Sequence, residues 1–188
     1  MSDLGARERS LLQEAAGWRL IGLLFECPVG GWREKVAAVT SEIADAELGA
    51  AAETAQAEAT EGLYHSLFGP GGPVSAREVS YRESVELGHL MSELACYYGA
   101  FAYQPGTQEV DDHVAVEAGF VGYLRLKEAY ALASGDAERA AVTAEAARRF
   151  IDDHLAAMAE PLAAALGASG SRYLATAAAA LLRRTGGG

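Results

Sequence analysis

An all-helical fold, a single bundle of about seven helices, is what the sequence predicts, and three observations carry it. The text is rich in Ala, Glu and Arg and poor in β-branched residues, so most side chains lose little rotamer freedom in a helix. Apolar residues recur at three- and four-residue steps, the period of one helix face. Gly and Pro gather at segment boundaries. At 188 residues the chain is long enough for one domain with a substantial core, ordered over about 4–185 and ending in a Gly-rich tail.

The elements follow in order. The first helix spans about 4–26, ends in "LIGLLFE" and is stopped by "CPVGG", where Pro28, Gly30 and Gly31 cannot continue it. A second runs from Trp32 to about Leu48. A third carries "AETAQAEATEGLYHSLF", with Leu63, Tyr64, Leu67 and Phe68 as its stripe, and stops at "GPGGP". The fourth opens on a Ser80-x-x-Glu83 capping box and presents Leu87, Met91, Leu94, Tyr98 and Phe101 on one face. "YQPGTQ" breaks it and offers a hinge between helices four and five, at which a domain-swapped homodimer can form.

The fifth helix, from about Asp111 to Ala133, is apolar on nearly every face, which marks a rod surrounded by others. Gly119 and Gly122 let its neighbours approach closely. The sixth starts near Asp136 and contains Pro161, so a kink is expected near Glu160. The seventh covers about Ser171 to Arg184. The tripeptide Asp-Asp-His occurs twice, at 111–113 and 152–154, with no further matching text around the second copy.

Composition narrows the function. A net charge of -11 and a pI near 4.8 disfavour nucleic acid and anionic lipid and suit a basic protein segment, or serve solubility alone. Cys27 and Cys96 lie apart in apolar helical text, as reduced thiols do in a cytoplasmic protein. No run is long enough to span a membrane, and "MSDLGARERS" has no apolar signal core.

No nucleophile elbow and no Gly-Lys-Ser/Thr phosphate loop is present, so no catalytic residue and no cofactor is assigned. Two patterns bear on metal. Glu86-x-x-His89 is half of a di-iron ligand set without its other half. Glu109, His113 and Glu117 stand at i, i+4 and i+8, a spacing that puts them on one helix face. The stretch that contains them, "QEVDDHVAVE", also reads as a helix start, with Asp111 or Asp112 as the N-cap and acidic groups matching the helix dipole. Capping explains the carboxylates but not the histidine beside them, so a partner site stays open.

"YHSLFGPGG", then "SYRES", "LACYYGAF" and "EVDDHVAVEAGFVGYL", resemble the TorD/NarJ type of redox-enzyme maturation chaperone over roughly 10–185. Tyr64, Leu67, Phe68 and Pro70 match a Tyr-x-x-Leu-Phe-x-Gly-Pro-like segment. Glu109, Asp111, Asp112 and His113 align with a Glu-Pro-x-Asp-His signature, with Val110 where the family has proline. The resemblance implies a cytoplasmic, non-enzymatic chaperone that holds the N-terminal region, often the twin-arginine signal peptide, of a molybdopterin oxidoreductase until its cofactor is inserted. It places peptide binding on Asp112, His113 and the loop before them. The Val110 departure loosens that loop and fits a subgroup whose client has no cleavable signal.

Residue chemistry is compatible with this. A basic-then-apolar peptide needs carboxylates beside a helix-lined apolar groove. Glu109, Asp111 and Asp112 supply charge, and Tyr64, Phe68, Tyr81 and Tyr98 supply candidate walls, each of which also reads as core. The alternatives are a metal-dependent helical-bundle enzyme and an assembly factor that binds a folded subunit.

Overall fold

The computed structural model describes residues 4–186. Helix α1 (Ala6–Phe25) stops at Glu26, ahead of Pro28. Helix α2 (Trp32–Thr40) ends well short of Leu48. The reason is local: the Asp45 carboxylate accepts from the Leu48 amide at 3.1 Å and starts a new helix, α3 (Ala46–Glu58). Thr60 repeats the device on the Leu63 amide at 3.1 Å, dividing the expected third helix into α3 and α4 (Glu61–Phe68).

The expected capping box at Ser80 and Glu83 does not start a helix. Glu78–Tyr81 form one 3-10 turn, and the Ser80 hydroxyl bonds that of Ser75 at 2.7 Å. Ser84 then sits at φ +62°, a left-handed conformation that no α-helix can contain, so α5 (Leu87–Ala100) begins only after it. Its buried residues are Leu90, Leu94 and Tyr98, whereas Leu87 is exposed at the first position of the helix.

Helix α6 (Val114–Ala133) is the central rod, as its apolar text requires. It packs antiparallel on α1: Arg7 meets Glu128 at one end, and Gly22 meets Ala115 at the other. A Cβ on Gly22 would lie 2.8 Å from the Ala115 carbonyl oxygen, and one on Gly122 only 3.0 Å from that of Ala15. The two backbones touch, and glycine is what lets them.

Helix α7 (Ala137–Phe150) runs through a π turn (Ile151–Leu155) directly into α8 (Ala156–Gly167), and α9 (Arg172–Arg184) closes the bundle. Pro161 is absorbed inside α8; the irregularity expected beside it lies earlier, in the π turn. Taken as continuous rods, the described residues form eight helices, against about seven expected.

The core centres on α6, where Val116, Phe120, Val121 and Leu124 are wholly buried. Side chains of this size contribute about 1.5–3 kcal/mol each by leaving water. Phe120 packs against Phe150 at 4.7 Å and Tyr98 at 5.0 Å between ring centroids, tying α5, α6 and α7 together. The loop into α6 is pinned at its start, where Tyr103 donates its amide to the Tyr98 carbonyl and stacks on Phe120.

Candidate functional site

The start of α6 is capped by a histidine rather than by either aspartate. His113 has extended backbone, and its Nδ1 accepts from the Ala115 amide at 3.1 Å. That bond fixes the tautomer: Nδ1 has no proton, so Nε2 carries it in the neutral ring. Nε2 faces the Tyr64 hydroxyl at 3.3 Å and Glu109 Oε2 at 3.8 Å, and Tyr64 donates to Glu109 Oε1 at 2.9 Å. A relay results, from the imidazole through Tyr64 to a carboxylate at the surface. Burial lowers the His113 pKa to about 4, against the raising influence of Glu109 and Asp112. Protonation would also set a proton against the Ala115 amide and break the cap. Tyr64 is pushed well up, first by burial and then by Glu109.

Asp112 is completely buried and takes the Arg77 Nε at 2.9 and 3.2 Å on its two oxygens. The backbone pins the same place. Glu78 donates its amide to the Asp112 carbonyl, Val114 donates to that of Ala76, and Arg77 and His113 form a single antiparallel bridge. Residues 75–82 therefore lie as a strap across the first turn of α6. The next residue, Glu78, turns inward to a second cluster. It is wholly buried, takes Arg82 Nε at 2.7 Å and faces His154 Nδ1 at 3.1 Å. His154 belongs to the second Asp-Asp-His, and the wide π turn directs it inward while Asp152 and Asp153 stay exposed.

A groove of about 640 Å³ runs along the α1–α6 seam. Leu12, Val39, Tyr103, Tyr123 and Leu126 give it apolar walls, with the loop after α5 at one end. Arg19 in its lining pairs with Glu26, a buried carboxylate that burial pushes up and that feels the charge of Glu109. Charge and apolar surface thus adjoin through the loop from Tyr103 to Glu109.

The expected site residues gather around one helix start, in different roles. Tyr64, Phe68, Glu109 and His113 converge, with the Tyr64 and Phe68 rings 5.3 Å apart. Tyr98 donates its hydroxyl to the Asp111 carbonyl at 2.9 Å, and Tyr81 donates to that of Ser75. The single face expected for Glu109, His113 and Glu117 does not form, because the helix begins only at Val114; Glu117 is turned away into the core. Glu86 precedes α5, and His89 stands in solvent beside Glu93 at 3.9 Å. Among the described residues no group of three or more His, Cys, Asp or Glu is arranged to hold a metal ion. Arg77, Glu78 and Arg82 carry no site signal of their own in the sequence; His154 stands out there only through the repeated Asp-Asp-His, and Glu117 only as a metal-face candidate.

The family model of the nitrate reductase delta subunit matches residues 31–164, which takes in the strap, both Asp-Asp-His copies and most of α8. No curated protein and no solved structure matches. A match over well more than half the chain settles its family: this chain belongs to the nitrate reductase delta subunit family, a family of maturation chaperones for redox enzymes.

Proposed function

We propose that this chain is a cytoplasmic chaperone that holds the N-terminal region of the catalytic subunit of a molybdopterin oxidoreductase, including a twin-arginine signal where the client has one, until its cofactor is in place. The observation that carries the reading is the apolar groove on the α1–α6 seam, which opens beside a loop that bears Glu109. A peptide that is basic and then apolar finds a carboxylate and a helix-lined groove in that order. Asp112 and His113 act here as organisers: one ties the loop to the strap, and the other caps α6 and orients Glu109 through Tyr64.

Titration calorimetry with the client's N-terminal peptide tests this. Wild type gives saturable binding that weakens with added salt. Leu126→Glu in the groove and Glu109→Gln at its charged end each weaken it about tenfold, the order expected for losing one good contact. Binding that ignores both substitutions, or no binding at all, overturns the reading. A client stripped of its N-terminal segment that is still captured would point instead to an assembly factor for the folded subunit.

A further inference from the structure

Glu117 stands in the first turns of α6 with no exposed surface and no hydrogen-bond partner for either carboxylate oxygen. An ionised carboxylate in such a place costs several kcal/mol unless it is paired. The charged and titratable groups around it are Glu78 and Arg82 from the strap, Asp112 from the loop before α6 and Tyr98 from α5, with His154 of the π turn on the Glu78 carboxylate. Every nearby cation is already engaged. Arg77 is on Asp112, and Arg82 is on Glu78 and the Asp153 carbonyl. His154 Nδ1 is on Glu78, while its Nε2 has no partner.

What Glu117 does have beside it is the Glu78 carboxylate, itself wholly buried under the strap. Two ionised carboxylates can only accept, so this contact forms only if one of them carries a proton. Glu78, with a guanidinium and an imidazole upon it, is the ionised member.

We propose that Glu117 is kept as the neutral acid in the folded protein, donating to Glu78, and that this one proton locks the Ser75–Arg82 strap over the start of α6. The titration tendencies agree. Burial, then the charge of Glu78, drives Glu117 well above the ordinary carboxyl range. Burial raises Glu78 too, but His154 and Arg82 outweigh it and leave it lowered. When the pH rises, the proton leaves to solvent and two carboxylates face each other in a medium of low dielectric. The strap then lifts, breaking the Glu78 amide bond to Asp112 and the Val114 amide bond to Ala76, each 2.8 Å. Opening also uncovers Asp112, so the lock governs access to the helix start.

Hydrogen exchange of the Glu78 and Val114 amides reads this directly. A raised acid favours the closed state below its unlocked pKa, and that advantage is lost as the pH climbs toward its locked value. Each unit of pH in that window therefore opens the strap about tenfold more often in wild type. Glu117→Gln keeps the shape and a donor but has no proton to lose. The ratio of wild-type to Glu117→Gln exchange rates thus rises, by up to about tenfold per pH unit, as the pH climbs above the ordinary carboxyl range, and taking the ratio removes the intrinsic base catalysis and the histidines from the comparison. A ratio that does not change with pH overturns the lock. If Glu117→Gln fails to fold, infrared spectra of the wild type decide: a protonated carboxylic acid band at neutral pH supports the lock, and its absence overturns it.

Discussion

The two Asp-Asp-His copies share a tripeptide and little else. At 111–113 the two aspartates form a turn and His113 is extended, so Asp112 and His113 both reach protein partners and both are buried. At 152–154 the same residues ride a π turn, so only His154 points inward and the two aspartates lie in solvent. Asp152 meets Arg148 on the surface at 2.8 Å, and Asp112 meets Arg77 under cover at 2.9 Å. The lesson is that backbone geometry, not residue identity, decides which of three polar side chains becomes structural. The strap then joins the copies, because consecutive residues Arg77 and Glu78 serve one each.

The largest expected effect breaks this comparison in half. Asp112→Ala strands Arg77 and removes a buried acceptor, and its cost is about 3 kcal/mol in urea denaturation. Asp152→Ala removes an exposed i, i+4 pair and stays within about 0.5 kcal/mol of wild type. Equal losses at the two sites would mean that Asp112 is not the structural member.

A second prediction concerns pH. His113 titrates at about 4 in the fold, below the ordinary 6.5, so its contribution is fully present above 6.5 and is lost as the pH falls toward 4. Full loss amounts to roughly 3 kcal/mol. His113→Gln flattens the stability profile over that window relative to wild type. A variant that keeps the acid-side slope would assign the titration to another group. Glu117 acts in the opposite direction, losing its contribution as the pH rises, so stability should peak between the two windows.

The smallest effect sharpens the first copy alone. Val110 is 46% exposed, and its carbonyl accepts the His113 amide while its own amide makes no hydrogen bond among the described residues. Val110→Pro should therefore stiffen the turn and raise stability by about 0.5–1 kcal/mol, measured by thermal melting. A loss of stability would show that the valine backbone here lies outside the range proline allows.

Much of the fold could be read from the chain because it depends on local chemistry. Alanine-rich periodic text, the stop at Pro28 and the all-round apolar character of the central helix follow from propensity and period. The boundaries at Asp45 and Thr60 were readable in principle, since each is a capping residue within helical text. Periodicity ran over them because alanine satisfies a helix on either side. Ser80 shows the opposite error: a capping-box pattern without a helix, undone by the backbone at Ser84.

The site divides along the same line. The sequence by itself determined that "QEVDDHVAVE" opens a helix and that its polar residues belong together, because caps and dipoles act within one turn. It took the tertiary structure to make His113 the cap and to bring Asp112 to Arg77 and Glu78 to His154. Those pairings span 35 and 76 residues respectively, and a buried charge takes whichever partner the packing brings to it. The groove is tertiary as well, since its floor exists only where α1 and α6 meet at glycines that a Cβ would push apart.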